Sequence, residues 1–166
     1  MIFTDIPAGA DVFLDANTFI YYFTADPGFG PACAGLLTRI KGGDIVGWTS
    51  THVLGEVSHR LMTIEAVKKY GWAYAGIAAK LGRHPVQVQQ RSEFRQAIQE
   101  IPKFGVHILT VLSDFIDKAA AVSQQTGLLS NDALTVTIMQ HHGISNVASH
   151  DSDFDRVAGL TRYAPV

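Results

Sequence analysis

Five carboxylates give this sequence its clearest chemistry: Asp15, Glu56, Asp132, Asp151 and Asp153. Asp15 closes the short apolar run Asp11-Val-Phe-Leu, Glu56 sits early in the helix after the second predicted strand, and Asp132 lies in the first turn of a helix starting near Ser130. Asp151 follows the fourth predicted strand, with Asp153 two residues on. Carboxylates gathered in one cleft repel each other unless a cation sits among them, and hard divalent ions such as Mg²⁺ and Mn²⁺ take oxygen ligands of this kind. Ions held by such a set lower the pKa of coordinated water and clamp developing negative charge, the chemistry of metal-assisted hydrolysis. No His, Ser or Cys nucleophile is then required. Each residue alone has a plainer reading. Asp15 could cap a helix, Glu56 could be a solvated flank, Asp132 suits a helix N-terminus through the dipole, and Asp151 and Asp153 could be loop residues. Chance does not easily place all of them at the same end of one sheet.

That argument depends on the elements that carry them. Asp11 to Asp15 reads as a buried strand, and Asn17 to Phe23 as a helix. Asp26-Pro-Gly-Phe-Gly30 is turn chemistry. A helix spans Ala32 to Lys41, closed by Gly42-Gly43, and a second strand is expected over Asp44 to Trp48. Thr49-Ser-Thr51 offers N-caps for a long helix with Val53, Val57, Leu61 and Ile64 at helical spacing. Tyr70 to Gly82 is Ala- and Gly-rich and predicted helical. His84-Pro85 begins a further helix whose buried stripe is Phe94, Ala97, Ile98 and Ile101, ended by Pro102. Val106 to Leu109 is a third strand. Helices over Ser113 to Thr126 and Ser130 to His142 stop at Gly127 and Gly143, followed by strands at Ser145 to Ala148 and Arg162 to Ala164. Strands separated by helices imply a mostly parallel sheet of about five strands, with ligands bound outside the strands' carboxyl ends.

These residues resemble the PIN domain family, and in particular its VapC-like metal-dependent ribonucleases. Val12-Phe-Leu-Asp15-Ala-Asn17-Thr-Phe-Ile20-Tyr matches the opening strand and first acidic motif. The helix carrying Glu56 resembles the second motif, and Ser130-Asn-Asp132-Ala-Leu134 the third. Val147-Ala-Ser149-His-Asp151-Ser-Asp153-Phe154 is similar to the terminal Thr/Ser-x-Asp-x-Asp-Phe pattern. The resemblance implies a three-layer α/β/α fold and an Mg²⁺- or Mn²⁺-dependent endoribonuclease acting on single-stranded or structured RNA. It implies Asp15, Glu56, Asp132 and Asp151 as catalytic, metal-binding carboxylates, with Asp153 as an additional metal ligand. Asn17 and Ser149 would be substrate-side or supporting polar groups. Many small members are toxins of toxin–antitoxin pairs, so an antitoxin protein and a homodimer are the expected partners. The chain looks longer than the compact toxins, which marks the region around 65–101 as a helical insertion in a single domain covering 1–166.

Composition narrows the alternatives. The chain has 166 residues, 47% hydrophobic and 17% charged, enough for one buried core. A single cysteine, Cys33, excludes an internal disulfide, and the N-terminus has no secretory pattern, so a cytoplasmic setting is expected and no membrane. Net charge of −2 argues against a large basic surface for nucleic acid, though a local patch and a bound cation can supply the positive field. Arg91 and Arg95, four residues apart, can lie on one helix face and form an RNA-binding edge with Arg83 and His84, or be an ordinary solvated helix face. Tyr21 or Tyr22 could stack a base beside the cleft.

Other readings fit less well. His52, Glu56 and His59 are not a His-Glu-x-x-His zinc motif. Asp151, Asp153 and Asp155 alternate like a calcium loop, but Arg156 occupies the glycine place and Arg162 that of the closing Glu. An aspartyl-nucleophile phosphatase resembling the haloacid dehalogenase family would want an acid/base Asp where this chain has Asn17. A PIN-fold module that binds RNA or protein without cleaving is the remaining alternative.

Overall fold

The computed structural model of the chain describes residues 1–166 throughout. Five strands form one sheet: β1 (Asp11–Leu14), β2 (Val46–Ser50), β3 (His107–Leu109), β4 (Asn146–Ala148) and β5 (Thr161–Tyr163). They run parallel in the order β3-β2-β1-β4-β5. Alternate residues of a strand face opposite sides of a sheet, yet Val12, Phe13 and Leu14 are all fully buried. Both faces of β1 are therefore covered, which makes the α/β/α layering that a parallel sheet needs. No helix is long and apolar enough to cross a membrane.

The helices are α1 (Ala16–Phe23), α2 (Gly30–Lys41), α3 (Thr51–Tyr70), α4 (Ile77–Gly82), α5 (Pro85–Gln89), α6 (Glu93–Glu100), α7 (Asp114–Thr126) and α8 (Ser130–His141). From β1 the chain moves outward through β2 to β3, then returns to the other side of β1 as β4. The reversal puts a crevice beside the carboxyl ends of β1 and β4, where open parallel sheets bind ligands. A core of 32 buried residues, including Phe13, Phe19, Phe115 and Phe154, supports that crevice from below. At Gly47 the sheet meets α2 so closely that a Cβ would lie 2.8 Å from the Ile40 side chain.

The expected strands and helices appear, with three informative differences. β2 lies two residues later than predicted, because Asp44 is drawn into an ion pair with Arg39 at 2.6 Å while Ser50 caps α3 with an Oγ acceptor for the Val53 amide. The Tyr70–Gly82 helix is mostly absent: α3 runs to Tyr70 and stops at left-handed Gly71, and only Ile77–Gly82 re-forms a helix after left-handed Gly76. The helix expected from His84 to Ile101 is split into α5 and α6, and Pro102 sits early in a 3-10 turn that prolongs the chain to Phe104. Residues 66–88 also carry their own small cluster, Ala66, Ile77 and Leu81, flanked by Met62, Val67, Tyr70, Trp72 and Val88 and separate from the main core.

Candidate metal centre

The first carboxylate is held by a hydrogen-bond frame at the crevice. Asp15 is the N-cap of α1, and its Oδ1 accepts from the Ala16 amide at 2.7 Å. Its Oδ2 accepts from Asn17 Nδ2 at 2.6 Å and from Ser149 Oγ at 2.7 Å. Ser149, fully buried, also takes hydrogen bonds from Asn17 Nδ2 at 2.9 Å and the Asp151 amide at 3.0 Å. Asn17 Oδ1 in turn accepts from the His150 amide at 3.1 Å. Two residues from α1 and the turn after β4 thus fix each other and fix Asp15. Below them, buried Thr18 and Thr49 donate to the carbonyls of Ala148 and Leu14, each at 3.0 Å, tying β1, β2, β4 and α1 together at the strand ends.

The other carboxylates come from three further elements. Asp132 stands in the first turn of α8, and Asp151 caps the 3-10 turn Ser152–Arg156, its Oδ1 accepting from the Asp153 amide at 2.8 Å. Carboxylate oxygens of Asp132, Asp151 and Asp153 lie within 4.8 Å of one another. Glu56, on α3, is close enough to act electrostatically on both Asp15 and Asp132. The Asp15 carboxyl is pushed up from 3.8 to about 6, chiefly by burial, with repulsion from Glu56 and Asp132 adding to it and the Ser149 and Ala16 hydrogen bonds opposing it. Asp132 also rises from 3.8 to about 6, through burial first and then repulsion from Asp151, Glu56 and Asp153. Only Asp153 in the group has a cationic partner, Arg156 at 2.9 Å. An all-oxygen set short of positive charge fits a hard divalent ion such as Mg²⁺ or Mn²⁺.

The full length of the cleft now has a family to explain it. The PIN domain model matches residues 12–160, which span every element from β1 to the turn before β5. The chain belongs to the PIN domain family. No curated protein matches it in sequence. Among solved structures, this PIN domain is similar to VapBC2 from Rickettsia felis bound to a DNA fragment from its promoter, with 15% identity, TM-score 0.56, and 94% of this chain and 99% of that one covered. It is similar to a toxin–antitoxin complex from Klebsiella pneumoniae, with 18% identity, TM-score 0.53 and coverage of 90% and 95%. It is also similar to VapC20 of Mycobacterium tuberculosis, a sarcin–ricin loop cleaving toxin, with 20% identity, TM-score 0.56 and coverage of 90% and 96%. At these identities the likeness is one of fold.

Not every expected residue reaches the cleft. Arg91 does not share a helix face with Arg95, because α6 begins only at Glu93. Its side chain is buried, with Nη1 3.5 Å from Glu65 Oε1, Nη2 donating to Tyr70 Oη at 2.9 Å and Nε donating to Gln87 O at 3.1 Å. It pins α5 to α3, and its guanidinium is spent there; it is not an RNA-facing group. Arg95 is exposed on α6. His52 lines a cavity with Ile116, Ala119 and Leu134 between α3, α7 and α8, and its Nε2 is buried without a partner. Burial pushes the Cys33 thiol up to about 12, so it is an inert core group.

Sequence reasoning missed two features. His150 stands between Ser149 and Asp151 and packs on Phe29 (ring centroids 4.4 Å) and on Tyr21 (5.9 Å, edge-on), an aromatic wall beside Asn17. Tyr21 was a candidate for this rim, whereas Tyr22 packs away from it on Phe23 and Phe104. Arg162 donates both to Asp155, at 2.9 and 2.8 Å, and to Ser149 O at 3.3 Å, bracing the turn that carries Asp151. The Asp155-to-Arg162 spacing is the only trace of that brace in the sequence.

Proposed function

We propose that this PIN domain is an Mg²⁺- or Mn²⁺-dependent endoribonuclease that hydrolyses phosphodiester bonds of single-stranded RNA, or of single-stranded parts of structured RNA. The observation that carries the reading is the convergence of Asp132, Asp151 and Asp153 oxygens within 4.8 Å at the crevice, with the carboxyls of Asp132 and of Asp15 both raised to about 6. Asp15, Glu56, Asp132 and Asp151 are the catalytic metal-holding set, with Asp153 an outer ligand able to exchange Arg156 for the ion. A bound divalent ion would supply the charge that neutralises the phosphate and makes water nucleophilic near neutral pH. The chain's own residues do the positioning. Ser149 and Asn17 hold the Asp15 carboxylate in one rotamer, so no reorganisation is needed when substrate arrives. Asn17 and the exposed His150 are the polar and aromatic groups on the substrate side, and Arg95 is a phosphate contact at a distance.

The toxin–antitoxin setting of the fold neighbours supports the same role here, in the cytoplasm, with an antitoxin protein covering the acidic cleft and the nuclease paired as a homodimer. The segment around 65–101 is read as a helical addition to the nuclease body. The deciding experiment incubates purified protein with a defined RNA pool and Mn²⁺ or Mg²⁺, beside Asp15→Asn, and maps the new ends. Cleavage that EDTA and the variant both abolish supports the reading. Equal cleavage in EDTA removes the metal mechanism, and no cleavage with either ion removes the nuclease.

A further inference from the structure

Charge is segregated along the chain. Between Ala66 and Ser92 there are five basic residues, Lys68, Lys69, Lys80, Arg83 and Arg91, and no Asp or Glu. The remainder holds eight basic residues against fifteen acidic. Of these five, Arg91 alone makes an ion pair, to Glu65. Lys68, Lys69 and Arg83 are exposed, and Lys80 lies with its Nζ 4.3 Å from the Trp72 ring centre. Trp72 stacks on Tyr70 at 4.8 Å, and Tyr74, half-exposed, packs against the Arg60 guanidinium.

The same segment contains an open polar hollow of about 410 Å³ with no hydrophobic lining. Lys68, Lys69, Gln90, Arg91 and Ser92 line it, with the carboxylates of Glu65 and Glu93. Buried Arg91 and Glu65 neutralise each other, so Lys68 and Lys69 against Glu93 leave one net positive charge, the complement of one phosphodiester. Arg60, exposed, follows Glu56 by one turn on the same face of α3. Glu56 and Lys68–Lys69 share one continuous helix and are twelve to thirteen residues apart, roughly 20 Å at the rise of an α-helix. That span corresponds to about six stacked nucleotides of one strand.

We propose that residues 66–92 are a docking track for the sugar–phosphate backbone of RNA, placed about six nucleotides from the metal centre. The hollow beside Lys68 and Lys69 seats one phosphate, while Lys80 and Arg83 contact others. The track deepens the ribonuclease reading and rests on it. It makes a nuclease with an acidic cleft and a negative total charge retain long RNA in preference to short pieces. Polyanionic RNA is favoured over an acidic protein partner because aromatic rings are interleaved with the cations, the arrangement that single-stranded nucleic acid uses.

The test is anisotropy binding of a fluorescent mixed-sequence 16-nucleotide RNA, with Mg²⁺, to Asp15→Asn protein that cannot cut it. Lys68→Gln/Lys69→Gln and Arg83→Gln are added to that background; all three side chains are exposed, and a thermal melt checks the fold. The double variant should weaken binding at least fivefold. It should also flatten the slope of log K against log salt by about 0.7, the value for the one single-strand phosphate contact that the hollow makes. Arg83→Gln should flatten it by about 0.7. The gap between variants and parent should narrow as the RNA is shortened to four nucleotides. An unchanged affinity and slope, with the parent still binding RNA, overturns the track and leaves the nuclease. A parent that binds no RNA overturns both. Polyglutamate bound as tightly as RNA, and released by the same variants, reassigns the surface to an acidic protein and overturns the RNA track.

Discussion

The acidic cleft and the basic 66–92 segment are opposite in charge and in construction. The cleft draws its carboxylates from four separate places in the chain, and Asp15, Asp132 and Asp151 sit at a strand end or a helix start above a core of 32 buried residues. The basic segment is continuous in sequence, rests on three buried residues, and turns at left-handed Gly71 and Gly76. In the proposed nuclease, groups that must be placed to a fraction of an ångström would rest on the large core, and long-range attraction would fall to the segment with the small one. On the proposed reading, the comparison teaches that this chain separates its chemistry from its holding.

The largest expected effect is on chemistry. Asp132→Asn should lower the rate of RNA cleavage by several orders of magnitude at saturating Mn²⁺, measured on a defined oligonucleotide; a loss under tenfold would move Asp132 out of the machinery. Stability should divide in the same way. Phe13→Ala, in the fully buried centre of β1, should cost about 4 kcal/mol in global unfolding by denaturant. Leu81→Ala should cost about 2 kcal/mol, seen by hydrogen exchange as faster local opening of α4 and α5. If Leu81→Ala lowers the global midpoint as much as Phe13→Ala does, the two regions are one cooperative unit and the contrast fails.

A smaller effect tests how the cleft is framed. Ser149→Ala removes the hydroxyl shared by Asp15, Asn17 and the Asp151 amide, and should cost about 1–3 kcal/mol. Its cleavage rate should fall more than its RNA affinity, because the Asp15 carboxylate loses its fixed rotamer. Equal falls in both would make Ser149 a substrate contact instead of a support.

The smallest effect is the sharpest in sign. With metal chelated, a carboxyl held near 6 when folded and 3.8 when unfolded binds its proton more tightly in the native state. Its contribution to stability is complete below about pH 4 and is lost as pH rises through 6. Asp132→Asn should therefore stabilise the metal-free protein above pH 6, by about 1 kcal/mol once solvent screening of a partly exposed group is allowed for. The gain should vanish near pH 4. Thermal unfolding in EDTA across that range shows whether the difference follows this course.

Much of the cleft was legible because its residues sit at boundaries that local rules mark well. Asp15 ends an apolar run, Asp132 opens a helix, and Asp151 follows a strand, so a parallel sheet alone brings them to one end. The Ser149–Asn17–Asp15 frame was visible only as polar residues in matching motifs; its hydrogen bonds join residues 132 and 134 positions apart. The 66–92 region was misread because alanines favour helix while Gly71 and Gly76 terminate it, and composition does not say which prevails. Arg91 was misplaced for a related reason. Four-residue spacing from Arg95 implies a shared face only within one helix, and here α5 ends at Gln89, Arg91 turns to Glu65 and Tyr70, and α6 begins only at Glu93.

The central claim is that the strand-end carboxylates form a cation site, and Mn²⁺ titration followed by thermal unfolding tests it most directly. Wild type should gain roughly 2.7 kcal/mol when the free ion reaches a hundred times its dissociation constant. Asp132→Asn should gain little or nothing over the same range. If Asp132→Asn gains as much from Mn²⁺ as wild type, or neither gains anything, Asp132 is a helix-start residue and the cleft is not a metal centre.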